Sequence, residues 1–317
     1  MVADAQAHGA LLRAEDLAQH RAEWVGTLSQ GYGEEGLELH EIPPNGQGLA
    51  ALIALGILDH HPLRDYPVDS ADSLHLQIEA MKLAFADVHR YVGEPDTMDV
   101  TAQMLLEPAY LAERAKQIDM TRAQDPDFGV PPRGGTVYLT AADQNGMMVS
   151  FIQSNYYGFG SGVVVPGTGI SLQNRGAGFT LEQGHPNEVG GGKRPFHTII
   201  PGFVTRHGQP LMSFGVMGGP MQPQGHVQMM TRLYDYSQNP QVASDAPRWR
   251  VMEGLKVAVE NSFSSDVLDE LTSRGHVLHR EELDRSFAFG GAQLIHRAEG
   301  GYVAGSDSRK DGQAVGF

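Results

Sequence analysis

The spacing of apolar residues changes at Gly135. Between Asp72 and Val92 they recur at three and four, through Leu74, Ile78, Met81, Phe85 and Val88, which puts them on one stripe of a helix. After Gly135 the runs VYLTAA and MMVSFIQ are apolar and partly alternating, and DQNG between them is a hairpin turn. Helices first and hairpin-joined strands afterwards predict an α+β layered fold, not alternating parallel units. Ser70 or Asp72 caps the long helix. Shorter helices are expected over 13–24, 49–58 and 108–118, the last with Pro108 in its first turn. The glycine- and proline-bearing stretches EIPPNGQG and DPDFGVPPRGG are loops. Further strands are expected at VVVP, TIIPGFV and PLMSFGV, the last two joined by the turn RHGQ, before MGGP opens a helix over 222–236. A helix over 264–273, capped by Ser264 or Ser265 and ending near Gly275, and strands around Val277, Leu294 and Val303 close the chain. The sequence contains no internal repeat.

Charge narrows the partners. Of 317 residues, 38 are acidic and 23 basic, a net charge of -15, so no basic face is available to neutralise nucleic-acid phosphates. No window approaches the roughly 18 apolar residues of a membrane span, and the first residues lack the basic and apolar regions of a secretory leader. As it stands the chain reads as soluble and cytoplasmic, with no membrane or nucleic-acid partner. The absence of cysteine removes disulfides, thiolate nucleophiles and Cys-ligated zinc.

Familiar catalytic motifs are missing. There is no HExxH, no GxSxG and no Asp-rich calcium loop, and GGGKRP lacks the GxxxxGK[ST] spacing that cradles phosphates. His60 and His61 are adjacent and point apart on a helix or a strand, so they read as a solvated helix end and not as a metal site. RGGTVYL offers something else: a threonine directly after two glycines, at the start of a strand. Its hydroxyl could attack the carbonyl before it. Cleavage at Gly135/Thr136 would leave Thr136 with a free α-amino group of pKa about 8, a usable base beside its own nucleophile.

The stretch from Thr136 to about Met221, with the C-terminal GSDSRKDGQAVGF, resembles the γ-glutamyltransferase family of N-terminal-nucleophile hydrolases. Upstream, IPPNGQG, EAMKLAFADVHRYVGEPD and LLEPAYLAERAKQID resemble the end of that family's large subunit. The resemblance implies a four-layer αββα sandwich, incomplete at its N-terminus. Residues 1–135 would be the end of the large subunit, and 136–317 a strand-rich small subunit. It implies Thr136 as nucleophile, Gly135/Thr136 as the self-cleavage site, and Gly218 and Gly219 of FGVMGGP as the oxyanion hole. Ser154 falls where the family has a threonine hydrogen-bonded to the nucleophile. Tyr156 falls on a substrate-binding asparagine, with Asn155 adjacent, and His197 and Thr198 fall on a pair of substrate-contacting serines.

The chain departs from the family in SLQNRGAGF. Members that bind γ-glutamyl groups carry a glutamine and an aspartate where Arg175 and Gly178 stand, and that aspartate holds the α-ammonium of the substrate. Losing the anion and gaining a guanidinium favours a bare carboxylate over an amino-acid head group. The competing expectation for Arg175 is a salt bridge with Glu182 or Asp143. FIQS, FGSG and QNRGAGF resemble the family's divergent branch of oxamate amidohydrolases and glutaryl-type acylases. The expected function is therefore self-cleavage followed by hydrolysis of a γ-glutamyl or other small carboxylate-bearing amide through an acyl-enzyme, without a cofactor. The family's large subunit is longer than the 135 residues before Thr136. The expected partners are thus the two self-cleaved pieces of a heterodimer, or a missing N-terminal half, and members of the family can be exported. The alternative is a shortened, non-catalytic member that acts by association with a partner chain.

Overall fold

The computed structural model describes residues 1–126, 135–281 and 288–317. The chain order is α1 (Val2–Ala7), α2 (Ala14–Gln19), β1 (Leu28–Gly31), β2 (Leu37–Glu41), α3 (Gly48–Leu58), α4 (Ala71–Tyr91), α5 (Ala102–Leu105) and α6 (Pro108–Ala115). Then follow β3 (Gly135–Ala142), β4 (Met148–Tyr156), β5 (Gly202–Arg206), β6 (Gln209–Met217), α7 (Met221–Met230), α8 (Pro240–Asp245), β7 (Trp249–Glu253), β8 (Lys256–Glu260), α9 (Ser265–Ser273), β9 (Val277–Glu281), β10 (Gly291–Ala298) and β11 (Gly301–Ser306). The class is mixed α+β, as the change of periodicity at Gly135 predicts. None of the described helices is long and apolar enough to cross a membrane.

The central element is an antiparallel six-stranded sheet in the order β1-β2-β5-β6-β10-β11. It takes β1 and β2 from before Thr136 and its other strands from after it, so the two expected segments share one sheet and one apolar core. Helix α3, GLAALIALGIL, is apolar on every side and all of its residues are buried. It lies between the sheet and α4, whose Ser70 cap accepts from the Ser73 N–H at 3.2 Å. On the other face of the sheet lies the β3–β4 hairpin. Its inward residues are polar: Tyr138 bonds Ser150 at 2.7 Å, and Thr140 bonds Ser213 of β6. Gly215 of β6 allows this approach, because a Cβ there would sit 2.4 Å from the Tyr138 ring. The outward residues are apolar and open, with Val137 67% and Phe151 49% exposed. A smaller sheet, β7-β8-β9, carries a parallel β8–β9 pair joined through α9.

The structure departs from expectation in several elements. Strands β1, β2, β7 and β8 are additional; they are four or five residues long, too short to stand out beside the longer patterns. VVVP forms no strand, only a Val164–Ser171 bridge, because Gly162, Gly167 and Gly169 turn the backbone at positive φ around it. In TIIPGFV the strand begins at Gly202; Pro201 has no N–H for a ladder, and the Ile200 N–H bonds Gln222 instead. Helix α2 stops at Gln19, five residues short of the expected end, since none of its residues is buried to hold it. The helix expected over 222–236 forms as α7 followed by a π turn over 231–235. Most of the loop DPDFGVPPRGG lies outside the described residues.

Candidate active site

Thr136 follows the first residue of β3. Gly135 pairs with Tyr156 and Val137 with Gln153, so Thr136 faces a bulge at Ser154 and Asn155. The side-chain alternation of the strand puts Thr136 on the inward face with Tyr138 and Thr140. Its Oγ1 is buried and has no hydrogen-bond partner among the described residues. The Ser154–Thr136 hydrogen bond implied by the family resemblance is thus not formed in this uncleaved chain. Ser154 Oγ instead accepts the Tyr156 N–H at 2.9 Å, because the bulge and the positive φ of Tyr156 (81°) fold the backbone back onto that hydroxyl.

Gly218 and Gly219 connect β6 to α7. Their φ values, 122° and 62°, lie in the region that glycine tolerates and side-chain-bearing residues avoid. Gly218 O accepts from the Met221 N–H at 3.2 Å, and Gly219 O accepts from the Gln222 N–H at 3.0 Å. With those carbonyls turned into the first turn of α7, the planar peptide sends the Gly219 N–H the other way. Neither glycine N–H donates to an acceptor among the described residues. These free donors sit ahead of a ten-residue helix, whose dipole favours an anion there.

Arg175 is buried at 5% exposure without a carboxylate partner among the described residues. The alternative salt bridge to Glu182 or Asp143 is absent. One guanidinium nitrogen, Nη1, donates to Thr198 Oγ1 at 2.8 Å, the Arg175 Cζ atom lies 4.9 Å from the centroid of the Tyr156 ring, and Nε and Nη2 have no partner among the described residues. Burial pulls the Arg175 pKa down to about 10, so it stays cationic at neutral pH. Tyr156 stacks on Tyr157 with ring centroids 4.1 Å apart, and burial raises its phenol pKa. His197 is held near a pKa of about 4 by burial and by the Arg175 charge, and its Nδ1 accepts from the Ile199 N–H at 3.3 Å. It is therefore neutral, with Nε2 as the N–H donor. Asn155 is half-buried beside Tyr156, and its carbonyl accepts from the Asn174 N–H at 3.2 Å.

These residues form one neighbourhood. Arg175 contacts Tyr156 and Thr198, its charge acts on His197, and Tyr156 pairs with Gly135, next to Thr136. Sequence reasoning misses the link to the glycine pair, Gln47, which donates to both the Thr198 and Gly219 carbonyls. Its only signal is a polar residue ahead of an unbroken apolar helix. Elsewhere His75, Glu79 and His276 offer metal-ligand atoms, but Lys82 Nζ lies 2.8 Å from Glu79 and occupies the cation's place.

The mixed α+β fold, with a central sheet that takes strands from both sides of Thr136, is of the N-terminal-nucleophile hydrolase class. The sequence profile described as Gamma-glutamyltranspeptidase matches residues 1–317, and the chain belongs to that family. It is 34% identical over 325 aligned positions to the glutathione hydrolase-like YwrD proenzyme of Bacillus subtilis, covering 100% of this chain and 61% of that protein. To the oxamate amidohydrolase proenzyme of Klebsiella pneumoniae it is 37% identical, covering 95% of this chain and 57% of that one. The crystal structure of cephalosporin acylase from Bacillus halodurans superposes with a TM-score of 0.92 and 50% identity, over 98% of this chain and 56% of that one. The chain thus spans less than two thirds of the length of each.

Proposed function

We propose that this chain is the catalytic part of a self-processing amide hydrolase that acts on small amides bearing a free carboxylate. The observation that carries the reading is the buried Thr136 hydroxyl, at the start of β3 directly after Gly135 and without a hydrogen-bond partner among the described residues. In processing, Thr136 Oγ attacks the Gly135 carbonyl and the peptide nitrogen leaves, forming an ester. Water then hydrolyses the ester, giving a Gly135 carboxylate and a free Thr136 α-amine. In turnover that amine takes the hydroxyl proton as Oγ attacks the substrate amide, and Gly218 and Gly219 N–H groups hold the oxyanion. The leaving amine takes the proton, and water releases the acid from the acyl-enzyme. No cofactor enters the scheme.

Arg175 reads the substrate carboxylate with Nε and Nη2, the Tyr156 ring keeps the guanidinium oriented, and neutral His197 adds an N–H donor without an opposing charge. Because no carboxylate among the described residues lies beside Arg175, an α-ammonium group finds no partner there. Oxamate and glutaryl amides should therefore be preferred to γ-glutamyl amides, and Arg175→Leu should raise KM for the preferred substrate about 10- to 100-fold. A substrate panel tests this; selective γ-glutamyl turnover, unaffected by Arg175→Leu, contradicts it. The open apolar face of β3–β4 favours a second feature: the active protein includes a further segment, covalent or separate, that covers Val137, Leu139, Val149 and Phe151.

A further inference from the structure

We propose that Gln47 is a positioning residue whose side-chain amide clamps the oxyanion-binding turn to the segment at Thr198 that holds Arg175. This rests on the reading of Gly218, Gly219 and Arg175 given above. Gln47 is 1% exposed, and both of its amide hydrogens are used: Nε2 donates to Thr198 O at 2.6 Å and to Gly219 O at 2.8 Å. Its backbone N–H donates to His197 O at 2.9 Å, and the His197 N–H donates to Asn45 O at 3.0 Å, so the clamp itself is held in a short parallel pairing. Asn45 Nδ2 extends the pairing to Pro195 O at 2.6 Å.

Two consecutive glycines have more accessible backbone states than any other pair of residues, so local sterics alone do not choose one. The direction of the Gly219 carbonyl is what fixes the second glycine. It has two donors, the Gln222 N–H of its own helix and Gln47 from across the chain. The other arm of Gln47 holds Thr198, whose hydroxyl accepts from Arg175. The distance between the place where the oxyanion forms and the place where the carboxylate binds is thus set through Gly219, Gln47, Thr198 and Arg175. Gln47 precedes Thr136 and the others follow it, so after cleavage the clamp becomes a bond between two pieces. Among uncharged side chains, only glutamine combines this reach with two donors on one nitrogen. Methionine has the length without the donors, and an ionised glutamate would face two carbonyl oxygens with none.

The test uses Gln47→Met and Gln47→Glu in the full chain. Amide hydrogen exchange at Met221 and Gln222, followed by mass spectrometry, reads positioning without activity. Steady-state kinetics on the best substrate of the panel read its consequence. In Gln47→Met we expect faster exchange at these two amides with the rest of the chain unchanged, and kcat at least about 10-fold lower with KM within about 3-fold. In Gln47→Glu, kcat relative to wild type should recover as the pH falls and the carboxyl gains a proton to donate. Unchanged exchange at Met221 and Gln222, or exchange raised evenly along the chain, overturns the proposal. A wild type without turnover, combined with the local exchange change in Gln47→Met, would sink the proposed function and leave the clamp standing.

Discussion

Arg175 and the buried histidines show what burial does to a side chain that carries or gains charge. Arg175 remains cationic and meets no anion among the described residues, as the proposed carboxylate receptor must; the histidines are driven neutral. His75, on α4 and hydrogen-bonded to His276, has its pKa lowered to about 4 and His276 to about 2, both chiefly by burial. A lowered histidine pKa means the unfolded chain binds more protons between the two values. His75 therefore contributes stability that is fully present above about pH 6.5 and is lost as the pH falls toward 4. The expected loss by pH 5 is about 2 kcal/mol from this group. Urea unfolding at about pH 7.5, 6 and 5 should show a shallower pH slope in His75→Gln than in wild type; identical slopes would contradict it. Buried carboxyl groups such as Glu41, raised by desolvation, titrate with the opposite sign and cancel in the comparison. Thr136, Gly218 and Gly219 are visible in the sequence because they sit in contiguous motifs. That Arg175 lies over Tyr156, or that Gln47 reaches Gly219, is not, since those contacts join residues far apart in the chain.

Among the elements, the β3–β4 hairpin inverts the usual arrangement. Its inward face carries hydroxyls that bond one another and β6, while its outward face carries Val137, Leu139, Val149 and Phe151. An alternating strand shows its period in the sequence but not which face is covered, so the hairpin is legible and its open side is not. An open apolar sheet face with exposed neighbours associates unless it is covered. Leu139→Lys with Phe151→Lys should make the isolated chain less prone to self-association in light scattering, at unchanged melting temperature. Equal self-association in both proteins would show that this face is not the adhesive one. Helix α4 is legible for the opposite reason: it carries its apolar stripe over several turns.

Across the whole molecule, the bond at Gly135/Thr136 divides a structure that is not divided in space. The central sheet and its core draw on both sides of that bond, and the Gln47 clamp crosses it. Cleavage should therefore release an α-amine without releasing a subunit. The sharpest check on Thr136 as a self-processing nucleophile is the intact mass of the purified wild-type chain beside Thr136→Ala. Wild type should give two masses, residues 1–135 and 136–317, co-eluting under native conditions, and the variant one uncut mass. A wild-type chain that stays whole, or a variant that is cut at the same bond, would show that Thr136 does not have this role.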